Sequence, residues 1–176
     1  MKNIITGTVI TLLIGGASYT ISQSDIIQNF AEDTGLTQEQ AEEYINEISE
    51  EELASWDQIG SEFINDGKVL FDVLYEIDCE NYEYEWESAT LSCLEAKTQL
   101  DKLARDTSSL GQAYMKLGSD SASEDDIAET IRLIDRLNSD YQLEVVSITL
   151  DWSTIDETKK TNSYNKALLK AALESD

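Results

Sequence analysis

Thirty-six carboxylates, twelve basic residues and not one histidine bound the chemistry open to this 176-residue chain. Without histidine it lacks the side chain that ordinarily titrates near neutral pH and the commonest zinc ligand. Serine and threonine are plentiful, but no imidazole is there to activate one as a nucleophile. Carboxylate pairs can relay protons, yet acids occur along the whole chain and no pair stands apart. There is no nucleophile elbow, no phosphate-cradling glycine loop and no zinc spacing. Asp120, Glu124, Asp125 and Asp126 offer oxygen ligands of the kind calcium takes. That run has Ala122 at its third position and no central glycine, so it reads as a solvated linker and a helix cap. We therefore expect no catalysis, no metal and no cofactor.

Two other sets of residues carry chemistry of a different kind. Cys79 and Cys93 are the only cysteines, and an even count in an exported chain points to a bridge. Between them runs Tyr82-Glu83-Tyr84-Glu85-Trp86-Glu87, alternating aromatic and acidic. Tyrosine and tryptophan dominate binding hot spots because they bury large area with few rotors to freeze. Acidic neighbours favour a basic partner. Tyr82, Tyr84 and Trp86 are thus candidate partner-binding residues, against the plainer reading that these rings close over the end of a bundle. Bridged cysteines would staple the hairpin whose tip these rings mark.

The net charge is −24, and thirteen Asp and Glu lie between Lys2 and the next base, Lys68. Such a surface repels phosphate backbones and excludes nucleic-acid binding. It serves solubility, and it would steer in a basic protein from a distance.

The elements that must position these residues are read from hydrophobic period. Residues 1–24 hold an uncharged apolar stretch, 4–21, that as a helix would span about 27 Å. With Lys2 before it and acids after it, the body of the chain is expected outside the cytoplasm. Three readings stand: a retained membrane anchor, in which Gly7, Thr11 and Gly15 would permit close helix approach; a signal peptide cut after Ala17; and a buried helix. A short helical hairpin is expected over 25–49. Ser24 caps its first helix and Gly35 ends it; Thr37 and Gln40 form a capping box for the second, with Ala41, Tyr44, Ile45 and Ile48 as its apolar stripe. In Ile26-Ile27, Phe30-Ala31-Glu32, Thr34-Gly35-Leu36-Thr37 and Ala41, this stretch resembles the opening helical hairpin of the HU family of DNA-bending proteins. The resemblance implies the hairpin shape alone, because nothing in the chain matches that family's β-saddle or basic arms.

From 50 to 176 an apolar seam repeats every three, then four residues: Leu53, Trp56, Gly60, Phe63, Gly67, Leu70, Leu74 and Ile77; then Trp86 to Leu117; then Ile127 to Leu173, weakening through Lys159, Asn162 and Lys166. That period predicts helices packed along their length. Helix starts are expected at Ser49-Glu50, near Ser88, and at Ser123 with Asp126. Gly60 and Gly67 are expected to receive bulky side chains such as Leu100 or Leu103, or to leave room for a ligand. Residues 143–152 also alternate at period two and read as helix or as an edge strand. The fold class is all-α: an antiparallel three-helix, spectrin-like bundle after a short helical hairpin and an N-terminal hydrophobic helix.

The function expected from these features is a membrane-tethered extracytoplasmic adaptor, scaffold or accessory subunit, touching another protein and the membrane, with self-association left open. The alternative is a secreted or periplasmic module that binds a small ligand, a metal or a basic protein.

Overall fold

Apolar seams and well-formed caps assemble six helices and one two-stranded sheet among the residues described by the computed structural model, which are 9–50, 55–80, 91–146 and 152–175. In chain order they are β1 (Val9–Ile14), β2 (Ala17–Ser22), α1 (Gln23–Thr34), α2 (Gln38–Glu50), α3 (Trp56–Glu76), α4 (Cys93–Gly118), α5 (Glu124–Asp140) and α6 (Trp152–Leu173). The protein is mostly helical, as the heptad seam predicts.

The N-terminal hydrophobic helix is not what forms. Residues 9–22 are an antiparallel β-hairpin, with Val9 opposite Ser22 and Ile14 opposite Ala17. The turn is Gly15-Gly16, both at positive φ (58° and 76°), the conformation that a two-residue hairpin turn demands. The strands are rich in Val, Ile and Thr, which suit a pleated surface. One face, with Ile10, Leu12, Ile14, Tyr19 and Ile21, packs on the helices, while Val9, Thr11 and Leu13 face out. The outward Val9 and Leu13 blur the alternation and give the segment the average hydropathy of a membrane helix. Among the described residues no helix is long and apolar enough to cross a membrane.

The α1–α2 hairpin forms, but Ser24 does not cap it: α1 begins at Gln23, and its N-cap residue is Ser22, with no side-chain cap hydrogen bond. Gly35 donates its backbone N–H to Ala31 O (2.9 Å) at the end of α1. Thr37 and Gln40 close a capping box, with Gln40 N donating to Thr37 Oγ1 and Thr37 N donating to Gln40 Oε1 (3.3 and 3.1 Å). The next helix starts later than Ser49. Ser55 caps α3, accepting from Gln58 N at 3.2 Å, and α2 continues to Glu50. Ser92 rather than Ser88 opens α4, through a capping box with Glu95. Ser123 and Asp126 cap α5 as expected.

The third pass of the seam is not one helix: among the described residues it includes the separate helices α5 and α6. After Asp140 the backbone turns repeatedly, with Gln142 N to Ser139 O (3.0 Å) and Leu143 N to Asp140 O (2.9 Å). Val145 and Val146 are buried in that turn. Of the stretch with ambiguous period, 147–151 lies outside the described residues.

α3 packs on α4, α4 on α5, α5 on α6, and α6 on α1. From residue 162 to 169 every residue of α6 is buried. A helix surrounded in this way has no polar face, so its seam loses contrast. Tyr164 meets Phe30 of α1 edge to face (6.5 Å), and Phe30 stacks on Tyr44 of α2 (5.2 Å). One apolar core runs from Ile14 of β1 to Ala172 of α6.

Gly60 receives a bulky side chain of the facing helix as expected, but it is Met115, whose Cγ lies 2.6 Å from where a Cβ would be, and not Leu100 or Leu103. A Cβ on Gly60 would lie 2.6 Å from Gly111 O, and one on Gly111 would lie 2.7 Å from Gly60 O. The glycines let the two backbones touch. Gly67 lies in the same way against Ala104 and Ser108.

Candidate functional site

The disulfide is the best-defined chemical feature. Ile77 ends α3, and Ser92 starts α4 on the antiparallel return. Cys79 and Cys93 thereby come to a Cα separation of 5.7 Å and are bridged. Lys97, one turn into α4, donates to Ile77 O at 2.9 Å and ties down the C-terminal end of α3. A loop of this length closed by a disulfide is stabilised by about 3 kcal/mol through lost chain entropy in the unfolded state. The bridge points to an oxidising compartment outside the cytoplasm. Tyr82, Tyr84 and Trp86 lie in 81–90, outside the described residues.

Beside the staple, the described surface is apolar where it should be polar. Tyr75 is 80% exposed and Leu94 70%, the two most exposed large hydrophobic side chains described. Val69 and Val73, in the same last turns of α3, are exposed too. Arg105 lies over the Phe71 ring (5.9 Å) while its Nε donates to Asp101 (2.8 Å), which occupies its charge. Between Lys68 and Lys97 the chain carries eight carboxylates and no base. Sequence reasoning placed its candidates in the loop; Tyr75 and Leu94 escaped it because they sit off the seam, where single apolar residues are common.

A second cluster ties α4 to α5. Asp106 accepts from Lys102 Nζ and from Arg136 Nη1, each at 3.1 Å. Lys102 also pairs with Asp140. Both aspartates are buried. Burial opposes the charge on Asp106, but hydrogen bonds with Asp140, Lys102 and Arg136 outweigh it and hold that carboxyl below its usual range. Burial and the neighbouring Asp106 push Asp140 up. Nothing among the described residues donates to Asp140 Oδ2, and a proton shared between the two carboxyls would satisfy it. The sequence shows Lys102 and Asp106, and Arg136 and Asp140, four apart on their helices. Their meeting across two helices has no local signature.

The acidic run after Gly118 behaves as linker and cap. Asp126 accepts from Ser123 N and Oγ (2.8 and 2.7 Å). Hydrogen bonds from Ser123 hold its carboxyl below the usual range. Among the described residues no group of three or more His, Cys, Asp or Glu is placed to hold a metal ion.

No protein-family model matches this chain, and neither a curated protein nor a solved structure matches it.

Proposed function

We propose that this is a disulfide-stapled extracytoplasmic binding protein that docks a basic protein on the stapled end of its α3–α4 hairpin, as an adaptor or accessory subunit rather than an enzyme. The observation that carries this reading is the placement of Tyr75 and Leu94. Both project into solvent beside Cys79 and Cys93, within a stretch of eight carboxylates and no base. Apolar anchors in an acid-rich stretch of sequence suit an amphipathic partner whose polar face is Lys- or Arg-rich. The disulfide limits the conformations this end can adopt, so less ordering entropy is lost when it binds. Tyr82, Tyr84 and Trp86, the candidates read from the sequence, belong to the same stretch of sequence. A tether through residues 4–21 is no part of this proposal, because Ile14 and Ile21 are core residues. The buried Asp106–Asp140 pair is closed off by Lys102 and Arg136, which fits a structural role.

The test uses the oxidised full chain and a synthetic amphipathic helix of lysine and leucine. Binding is expected at about 50 mM salt and should fade at about 500 mM, as screening removes the long-range attraction. Tyr75→Ala with Leu94→Ala should weaken it about tenfold or more. Affinity unchanged in the double variant would leave only bulk charge attraction and would end the site assignment.

A further inference from the structure

The ends of α1 and α5 and the middle of α6 enclose a polar cleft of about 560 Å³, within the size range of small-molecule sites. Its position is independent of the stapled end of the α3–α4 hairpin. We propose that this cleft binds a small zwitterion of the size of a di- or tripeptide, its ammonium directed to Asp33 and Asp156 and its carboxylate to Lys159 and Lys160.

Four observations carry the proposal. First, the floor is built and held. Lys166 is buried and paired with both Asp33 and Asp135, one from α1 and one from α5. Those pairings fix the two walls of the cleft against α6. Second, one polar group is aimed by a buried neighbour. Asn162, fully buried, donates its amide to Asn138 Oδ1 at 3.1 Å. Asn138 lines the cleft. With its oxygen occupied it has its NH₂ left to offer a ligand, and that donor suits a carboxylate.

Third, the charge balance is local and unusual. The chain has three acids for every base. The cleft lining has Asp33, Asp135 and Asp156 against Lys159 and Lys160, and Lys166 beneath makes the set neutral. A neutral set of opposite charges matches a ligand that carries both signs. It matches neither a polycation nor an anion alone. Fourth, the negative pole is reinforced by the backbone. α1 and α5 both end at the cleft, and neither has a basic residue in its last turn. The C-terminal end of a helix carries partial negative charge, which favours an ammonium on that side. Lys159 and Lys160 come from α6, which also carries Asp156 one turn before them.

The experiment is calorimetric titration of the full chain with trialanine, with N-acetyl-trialanine, with trialanine amide, and with a neutral disaccharide. Trialanine should bind, and blocking either end should weaken binding about tenfold or more, the size of a lost charged hydrogen bond. The Lys159→Ala/Lys160→Ala variant should lose affinity for trialanine while its helical circular dichroism stays that of the wild type, because neither lysine is in the core. Lys160→Arg should retain affinity. Equal binding of the blocked peptides, preference for the disaccharide, or no heat with trialanine at concentrations of about 10 mM, the weak end of small-ligand affinities, would each overturn the assignment.

Discussion

Asp106 and Asp140 are buried side by side, yet they are held unequally. Asp106 accepts from two cations on two helices, and its carboxyl sits below its usual range. Among the described residues Asp140 has one cation, Lys102, beside its hydrogen bond with Asp106, no donor reaches its Oδ2, and its carboxyl sits above its usual range. The sign of each contribution follows from linkage. A carboxyl depressed in the folded state stabilises above its unfolded value and loses that contribution as pH falls through the folded one. A raised carboxyl stabilises below its unfolded value and loses the contribution as pH climbs through the raised one. Asp106→Asn should therefore cost about 1–3 kcal/mol near pH 7.5, less than a fully buried pair because Lys102 is half exposed. That deficit should shrink toward pH 3. Asp140→Asn should show the reverse: its deficit relative to wild type is largest in acid and shrinks or changes sign near pH 7.5. Urea unfolding at the two pH values measures both. Parallel pH dependence in the two variants would show that the asymmetry between them is absent.

The packing of one helix on another depends on what lies between them, and at Gly60 and Gly111 the backbones of α3 and α4 meet with no side chain of either glycine between them. In an open helix Gly→Ala is worth about 1 kcal/mol in favour of alanine. At Gly60 and Gly111 the new methyl would strike the facing carbonyl oxygen at 2.6–2.7 Å, and a backbone cannot swing aside as a side chain can. Gly60→Ala and Gly111→Ala should each destabilise by about 1–3 kcal/mol, a fall in Tm of about 2–4 °C per kcal/mol at this chain length. Differential scanning calorimetry reads it, and a rise in Tm would mean the helices stand further apart than described. This contact also shows what could be read beforehand. The seam through Phe63, Leu70, Leu74, Leu100, Leu103 and Leu110 marks its own helices, since one face is apolar and the other charged. The cysteine spacing gives the antiparallel return, and Ser123 with Asp126 gives a start. A local pattern cannot say that the glycine at 60 faces both another glycine and a methionine, because the answer lies 51 residues and more away at Gly111 and Met115. Nor can it recognise α6 as central. Asn162, Asn165 and Lys166 look like a solvent face until Asn138, Tyr114, Asp33 and Asp135 are found to be their partners.

At the scale of the whole molecule, the hairpin of residues 9–22 is the part that changes the account of the protein most. An anchor or a leader is by nature separable from the body it delivers, and this segment is interlocked with it. Ile14 and Ile21 are almost wholly buried. Gly15 N donates to Leu117 O (3.0 Å), a carbonyl at the end of α4 that no helical N–H can reach. Leu13 O accepts from Trp56 Nε1 (3.1 Å), and that indole stacks on Tyr114 (5.6 Å), whose hydroxyl accepts from Asn165 of α6 (3.3 Å). Strand, α3, α4 and α6 are thus joined in a single run of contacts. Cleavage after Ala17 would remove β1 and the turn, leave β2 without its partner, and open the site that Ile14 fills. Losing one buried isoleucine costs about 2–5 kcal/mol, and Ile10, Leu12 and the Trp56 hydrogen bond would go with it. A chain that begins at Ser18 should therefore melt at least about 10 °C below the full chain, with the Trp56 environment changed in its near-UV dichroism. Equal melting temperatures for the two would mean that the helices are complete without the hairpin and that the segment is a passenger on the fold.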